Sequence, residues 1–466
     1  MFQFTSQFEF LFADLFSLDS VNSAKNYSMP FRLPCRPLGT SNQTIAVFCF
    51  LGSVITFIML GTTFQNSNTI VQKLMLRLNT LSNQSLGTAS AYKITELVPK
   101  NQLSINTMNL LTDSLSIKLK DAETTKNHPV SFKSCNELKI ANYNDTCKPD
   151  SKKCLQTALP VSLTDRIKSL SVLDHMPVPE NYRDIMQQMR DKVNGNHDVI
   201  IISGISSNHY LESQAMLKNF HEKVFPVLPN FVMVVYDLGL TKQERKQLEN
   251  HCRCIVISFP FEKLPEYFRT LKCFAWKVFV ISAHYESASV VMWADASIRI
   301  TNSTAIPFMV ERAKARGIQQ RLVRRIMTVN TYHTLPSMFE AYGDSPCAHL
   351  SFQQCETGFG LYHREPLIRH AVIEPWLACA SNKFCICPVE QIKVQRCPPI
   401  PPKHIGVCMR NEQSAISIIL AKLFREKYYH FAVDVSWFQN AARDQKFEYF
   451  KLLEERQKNA SATVKQ

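Results

Sequence analysis

Three short apolar runs within residues 198–299 constrain the fold of this chain more than any other feature of its sequence. They cover residues 199–202, 231–236 and 289–293, and a fourth run covers residues 254–257. Continuous runs rich in β-branched residues indicate strands buried on both faces, as in parallel sheets. Polar segments with helical character separate the runs. The pattern therefore predicts repeated βαβ units and an α/β domain.

Helical spacing and capping residues recur between and after these runs. A sheet of βαβ units needs such helices to cover its two faces. The expected helices are residues 182–193, 208–220 with Asn208 as cap, a polar helix capped by Thr241, 268–285, 306–315, an apolar helix ending at Phe424, and a charged helix after about residue 440.

Acidic residues follow two of the predicted strands. Asp237 comes directly after the second run, and Asp295 lies two residues past the third. Ligands of open α/β sheets bind outside the carboxyl ends of the strands. The sequence therefore predicts both acids at the ligand-binding edge.

The chain is basic, with 53 Lys and Arg against 39 Asp and Glu and a formal net charge of +14. That balance suits an anionic substrate or an anionic lipid surface, and it equally suits an ordinary basic exterior. No basic run with interleaved aromatic residues occurs, so nucleic acid is not an expected partner.

Residues 44–64 form an uncharged apolar segment of the length that spans a bilayer. The near flank on the amino side carries Arg32 and Arg36 and no acid, which favours a cytosolic amino terminus. A cleaved signal peptide is the alternative, but 43 residues precede the run and no clear cleavage site follows it. We expect a signal-anchor and a single-pass type II membrane protein with a lumenal carboxyl part.

Cysteines and glycosylation sequons agree with that topology. Of the 15 cysteines, all but Cys35 and Cys49 follow the predicted span, which indicates disulfides in an oxidising compartment. The odd number that follows the span leaves at least one free thiol or an intermolecular bridge. Four sequons also follow the span, at Asn83, Asn144, Asn302 and Asn459.

Composition divides the chain into five parts. A tail (1–43) precedes the transmembrane helix (44–64), and a polar segment rich in Asn, Ser, Thr and Lys (65–160) is interpreted as a stem. The globular lumenal domain is expected over residues 161–436, followed by a charged tail over residues 437–466.

Several short motifs resemble one family. They are Tyr236-Asp237-Leu238-Gly239-Leu240, Ala275-Trp276-Lys277, Trp293-x-Asp295-x-Ser297-x-Arg299, Trp376-x-x-Cys379 and Cys408-x-Arg410-x-x-Gln413-Ser414-Ala415. This set is similar to that of an uncharacterised family of single-pass membrane proteins, placed with the nucleotide-diphospho-sugar transferases of GT-A fold. The resemblance covers roughly residues 198–424. It implies a GT-A-like mixed, mainly parallel sheet flanked by helices, in a glycosyltransferase-like protein of the Golgi.

The resemblance also implies roles for individual residues. Asp295 is expected to hold Mn²⁺ or Mg²⁺ on the diphosphate of a nucleotide-sugar donor. Lys277 and Arg299 are expected to neutralise phosphate, and Asp237 to contact the nucleotide. The candidate bases for an acceptor hydroxyl are Glu356 and Glu412.

The sequence departs from the family pattern at three positions. Met409 stands where the family usually has His, and Glu412 where it has Asp. The triplet beginning at Asp295 ends in Ser297 and not in the second Asp of an Asp-x-Asp pair, which weakens a cation site.

Four of the site residues also have a structural interpretation. Asp295 and Glu412 suit the capping of a turn or a helix start, and Lys277 and Arg299 suit ion pairs. The histidines have no zinc spacing. For Cys385, Cys387, Cys397 and Cys408, disulfides suit the expected compartment better than a metal cluster.

The leading hypothesis is a glycosyltransferase that moves a sugar from a nucleotide-sugar to a glycan or glycoprotein. One alternative is a catalytically inactive relative that binds a nucleotide-sugar or a glycan. Another is a cell-surface adhesion module without a nucleotide site.

Overall fold

The computed structural model describes residues 103–124, 159–171, 175–322, 330–388, 397, 405–443 and 445–463. The predicted tail 1–43 and transmembrane helix 44–64 lie outside these residues, as does most of the predicted stem. None of the helices in the described part of the chain combines the length and the apolar character that crossing a bilayer takes. The membrane topology stays a prediction.

The described residues contain two sheets. The larger has seven strands in the order β3-β2-β1-β4-β7-β6-β8, and the smaller pairs β5 with β9. Their bounds are β1 His197–Ile205, β2 Phe231–Asp237, β3 Ile255–Ser258, β4 Ala288–Ala294, β5 Ile298–Ile300, β6 Ile318–Leu322, β7 Glu356–His363, β8 Ala432–Asp434 and β9 Gln439–Ala441.

Helices flank the larger sheet. In chain order they are α1 Ile105–Thr124, α2 Leu163–Ser171, α3 Glu180–Arg190, α4 Tyr210–Lys223, α5 Lys242–His251, α6 Ala275–His284, α7 Ala305–Arg316, α8 Pro336–Ala341, α9 Pro366–Ile368, α10 Glu374–Ala380, α11 Lys383–Ile386, α12 Asn411–Phe424, α13 Tyr428–Phe431 and α14 Tyr449–Thr463. A π-helical segment, Arg369–Ile373, joins α9 to α10.

Strand direction makes the large sheet mixed but mainly parallel. β1 pairs in parallel with β2 and β4, β2 with β3, and β6 with β8. Only β7 runs the other way among the strands of this sheet, pairing antiparallel with both β4 and β6. The order reverses between β1 and β4, which creates a switch point. The predicted α/β class is confirmed, and the sheet fits a GT-A-like fold.

The apolar runs are continuous because both faces of the central strands are buried. Along β1, Ile200 and Ile202 point into one core, while Val199 and Ile201 point into the other, and none is more than 2% exposed. Side chains alternate between the faces of a strand, so two buried faces require an unbroken apolar sequence. The first core includes residues of α6 and α12, and the second includes residues of α4 and α7.

Two predicted helix starts are wrong. α4 begins at Tyr210 after a 3-10 turn, and the side chain of Asn208 accepts a hydrogen bond from Ser206 and does not cap the helix. α6 begins at Ala275, because Phe274 has a left-handed backbone with φ 55° that ends the preceding 3-10 turn. The Thr241 cap of α5 is confirmed by a capping box with Glu244.

Two segments predicted to lie outside the globular domain contain helices that pack on it. α1 falls within the predicted stem, yet Leu111 and Leu115 are fully buried in the first core and Lys118 pairs with Glu365 at 2.9 Å. α14 falls within the predicted charged tail, and its Phe450 is buried in the second core. Each helix packs on the domain through one face, although α1 also exposes Ile105, Leu110 and Ile117 on its other side.

The predicted disulfides are confirmed. Four bridges join described cysteines, so none of the candidate metal-cluster cysteines is free, and Cys347 is disulfide-bonded as well. Cys355 is a free, buried thiol hydrogen-bonded to Tyr428. The four bridges are Cys252–Cys254, Cys273–Cys387, Cys379–Cys385 and Cys397–Cys408.

A neutral histidine is buried in the first core. His284 has no exposed surface, and its Nε2 lies 2.7 Å from the hydroxyl oxygen of Tyr236. Burial, together with the charge of Arg190, lowers the pKa of His284 to about 3. Protonation at ordinary acidic pH therefore favours the unfolded chain, whose histidines have a pKa near 6.5.

We expect the His284→Asn variant to lose less stability on acidification than the parent. The contribution of His284 to the free energy of unfolding falls as the pH drops below about 6.5. The loss is up to about 1.4 kcal/mol per pH unit until the pH reaches the pKa of His284 in the folded protein. Urea unfolding of both proteins between pH 7.5 and 4.5 measures the difference. His197→Asn is the control, because His197 is partly exposed and bonds only a local carbonyl. If the unfolding free energies of the parent and of His284→Asn change equally with pH, the prediction is wrong.

Candidate functional site

The carboxyl edge of the large sheet brings together residues from distant parts of the chain. Asp295 follows β4, and its backbone N–H donates to the Gly358 carbonyl at 2.8 Å. β7 is antiparallel to β4, so the first residues of β7 reach the same edge as the last residues of β4. This edge lies beside the switch point between β1 and β4, where open sheets bind ligands.

The carboxylate of Asp295 is held in one orientation. Its Oδ1 accepts from the ammonium of Lys277 at 2.9 Å and from the indole Nε1–H of Trp293 at 2.8 Å. The side chain is 26% exposed, so the carboxylate is desolvated only in part. A Cβ added to Gly358 would lie 3.4 Å from Oδ2, so the glycine leaves room beside that oxygen. Oδ2 is thus the oxygen of this carboxylate that neither Lys277 nor Trp293 occupies.

Lys277 is a buried cation with two carboxylate partners. It lies in the first turn of α6, and its side chain is only 2% exposed. Besides Asp295, it contacts Glu412 Oε1 at 3.2 Å and the carbonyl oxygen of Thr357 at 3.4 Å. Burial favours the neutral amine, but Asp295 and Glu412 outweigh it and raise the pKa of Lys277. Lys277 is therefore charged at every physiological pH.

Glu412 forms the inner end of this arrangement. It lies in the first turn of α12, where the Trp376 indole donates to its carbonyl at 3.1 Å. Its Oε1 accepts from the Thr357 hydroxyl at 2.6 Å, while its buried Oε2 has no hydrogen-bond partner in the described part of the chain. Burial raises the pKa of Glu412, and Lys277 and Thr357 oppose that shift only in part. We call Asp295, Lys277 and Glu412 the buried triad.

A second acid–base pair involves the other candidate base. Glu356, the first residue of β7, pairs with the Nε of Arg321 at 3.1 Å, and its side chain is 17% exposed. Arg321 lies near the carboxyl end of β6, and its Nη1 also donates to Gln439 at 2.9 Å. Asp295 contributes to the electrostatic environment of Arg321, so this pair and the buried triad are neighbours.

Asp237 and Arg299 make their contacts away from the buried triad. Asp237 accepts from the backbone N–H groups of Gly239 and Leu240 and pairs with Arg245 at 2.9 Å, which holds the turn after β2. Arg299 is buried, and its two terminal nitrogens donate to four backbone carbonyls, those of Ala296, Ile298, Glu212 and Gln445. Both side chains support local structure in this arrangement, and their predicted ligand roles stay predictions.

Three contributors to the site were not anticipated from the sequence. Thr357 links Glu412 to Lys277, Trp293 orients Asp295, and Arg321 pairs with Glu356. β6 reads Ile-Gln-Gln-Arg-Leu, and all five of its residues are buried. Three of these five residues are polar, so the sequence lacks the apolar run that predicts a strand. For that reason neither β6 nor Arg321 was predicted.

The residues at this edge do not fit a site for Mn²⁺ or Mg²⁺. The described chain has no group of three His, Cys, Asp or Glu side chains arranged to hold a metal ion. An ammonium already occupies Oδ1 of Asp295 and repels any second cation on the same carboxylate. The position of a second Asp is taken by Ser297, which is buried.

Comparison with known proteins gives a family of undefined function and a set of glycosyltransferase structures. A family described as "Protein of unknown function (DUF1647)" matches residues 160–282. No curated protein matches the sequence.

Three of the similar solved structures show the range of the likeness. Galactosyltransferase LgtC, in complex with donor and acceptor sugar analogues, is 14% identical over 48% of this chain and 70% of that chain, with a TM-score of 0.30. Core-mannan synthase A from Aspergillus fumigatus, in a Mn/GDP form, is 10% identical over 53% and 75%, with a TM-score of 0.32. The bifunctional glycosyltransferase WbbM is 9% identical over 52% of this chain and only 40% of its own, also with a TM-score of 0.32. These TM-scores are low. The GT-A-like character of the sheet is therefore argued from the order and direction of its strands.

We expect Lys277→Met to cost about 3–5 kcal/mol of unfolding free energy, because it leaves the buried Glu412 and the partly exposed Asp295 without a counter-charge. Adding Glu412→Gln should restore much of that loss, since the double variant removes a buried cation and a buried anion together. Urea unfolding of the parent, both single variants and the double variant gives the four unfolding free energies of a double-mutant cycle.

Arg245→Met is the matched control for this cycle. It breaks the pair with Asp237, in which Arg245 is 29% exposed, and should cost no more than about 1 kcal/mol. Additive effects of the Lys277 and Glu412 substitutions would show that the two side chains are not coupled.

Proposed function

We propose that this chain is a type II membrane protein of the secretory pathway that binds a nucleotide-sugar and transfers its sugar to a glycan or glycoprotein acceptor. The observation that carries the proposal is the oriented, partly exposed carboxylate of Asp295 at the switch-point edge of a mainly parallel sheet. Ligands of such sheets bind in the crevice beside that edge.

The chemistry of Asp295 suits a sugar or a ribose. An ionised carboxylate is a hydrogen-bond acceptor only, and hydroxyl groups are the matching donors. Lys277 and Trp293 fix Oδ1, so Oδ2 is presented to a ligand without loss of side-chain freedom on binding. A hydroxyl-rich donor such as a nucleotide-sugar meets this requirement.

An acceptor hydroxyl needs a base, and Glu356 is the better placed of the two candidates. Its side chain is 17% exposed at the same edge, whereas that of Glu412 is 3% exposed and shielded by Lys277 and Thr357. A base must come within hydrogen-bond reach of the proton that it removes. We therefore assign the base to Glu356 and a positioning role, through Lys277, to Glu412.

The disulfides and one exposed sequon support a lumenal site. Structural disulfides persist in the secretory pathway and are rare in the cytosol. Asn302 lies on the surface, with its Oδ1 bonded to the hydroxyl of Thr304, the third residue of its sequon. The proposed anchor is the apolar segment at residues 44–64.

A second candidate is a protein that binds a nucleotide-sugar or a glycan without transferring it. The buried triad favours this alternative, because Lys277 neutralises Asp295 and Glu412 is withdrawn from solvent. The two candidates share the binding step and differ in turnover.

We expect the purified full chain, with detergent present throughout, to bind at least one member of a panel of UDP- and GDP-sugars. Asp295→Asn should weaken that binding about tenfold or more, because it replaces a charged acceptor by a neutral one of the same shape. Isothermal titration calorimetry measures both affinities, and Asp237→Asn is the matched control, expected to change affinity less than about threefold.

Turnover separates the two candidates. Glu356→Gln should keep the donor affinity while abolishing release of the nucleotide diphosphate in the presence of acceptor glycans. A parent that binds the donor but never releases the diphosphate is the binding protein of the second candidate. A folded parent that binds no member of the panel contradicts both.

A further inference from the structure

The ammonium of Lys277 occupies the electrostatic position that a divalent cation would need. It lies 2.9 Å from Asp295 Oδ1 and 3.2 Å from Glu412 Oε1, and its side chain is 2% exposed. Both partners reach it from other elements, because Asp295 follows β4 and Glu412 belongs to α12. Lys277 is therefore a fixed part of the fold and not a mobile surface cation.

The charge of the site is balanced from inside the protein. Lys277 offsets one acid, and Glu412 keeps a raised pKa because of its burial. A divalent cation is drawn to sites with an excess of negative charge, and it is held by carboxylates and by the phosphates of the ligand. The buried triad carries a net charge of at most −1, compared with −2 for a pair of unshielded carboxylates.

The ligand geometry also works against a cation. Two donors, the Lys277 ammonium and the Trp293 indole, already occupy Oδ1 of Asp295. One carboxylate oxygen, Oδ2, is left, and the next acid position of the motif is the buried Ser297. Mg²⁺ requires a near-octahedral shell of oxygen ligands. Here the protein offers one oxygen, and a positively charged ammonium lies beside it.

We infer that Lys277 permanently takes the place of the divalent cation at Asp295, so that this site binds its nucleotide-sugar without Mn²⁺ or Mg²⁺. The inference rests on the proposed function for the identity of the ligand. Its cation part stands separately, because it concerns only what Asp295 can hold. Asp295 then acts as a hydroxyl acceptor, and Lys277 is a positioning residue that never touches the donor.

Electron paramagnetic resonance of Mn²⁺ tests the cation part without any nucleotide. We expect Mn²⁺ to titrate identically in the full-length parent and in Asp295→Asn, because Asp295 holds no cation in either protein. Mn²⁺ binding that is present in the parent and lost in Asp295→Asn overturns the inference. This result does not depend on donor binding, so it remains decisive if the proposed function fails.

Calorimetry of UDP tests the consequence for the ligand. The affinity of the parent should be the same within twofold in 1 mM EDTA and in Mn²⁺, and a tenfold gain with Mn²⁺ overturns the inference. In Lys277→Met/Glu412→Gln the ammonium is gone, while the net charge of the site is the same as in the parent with Glu412 ionised. That variant should bind UDP at least tenfold more tightly with Mn²⁺ than with EDTA.

The double variant is checked by circular dichroism and urea unfolding before binding is measured. If it is folded and shows no dependence on Mn²⁺, the ammonium is not what excludes the cation, and the inference fails. If it does not fold, the paramagnetic resonance and the EDTA comparison on the parent still decide the question.

Discussion

The attraction between one buried ammonium and two carboxylates holds this site together. Lys277 comes from the start of α6, Asp295 follows the end of β4 and Glu412 comes from the start of α12, so the contact joins two consecutive elements to a third that is distant in sequence. Burying an isolated charge is costly, and each member of the triad is tolerated because the others are present. The orientation of Asp295, and with it the accessible oxygen, follows from that mutual dependence.

The sheet brings these residues together. Because six of the seven strands of the large sheet run in one direction, the ends of β1, β2, β4 and β6 gather at one edge. The reversed strand β7 then brings its first residues, Glu356 and Thr357, to that same edge. An all-parallel sheet would place the start of β7 at the opposite side, and Glu412 would lose its Thr357 partner.

The sequence was informative where structure depends on local pattern. β-branched runs located four strands to within a few residues, and Asp295 was correctly placed just past the end of one of them. It was less informative where a contact depends on tertiary packing. Glu412 is 135 residues from Lys277, and no spacing rule connects them. Arg321 lies in a strand whose polar side chains contact groups that are distant in sequence, such as Gln439 and Glu356. The packing of α1 and α14 was missed because each lies in a segment whose overall composition is polar, and the segment was judged as a whole.

The disulfide between Cys273 and Cys387 makes the geometry of the site depend on the redox environment of the protein. Cys273 lies four residues before Lys277, at the entrance to α6, and Cys387 follows α11 far along the chain. The crosslink closes a loop of more than a hundred residues, so it removes much of the freedom of the unfolded chain. A copy of this protein made in the reducing cytosol would lack that crosslink at the entrance to α6. Oxidation of Cys273 and Cys387 thus restrains the segment of chain that delivers the Lys277 ammonium to the site.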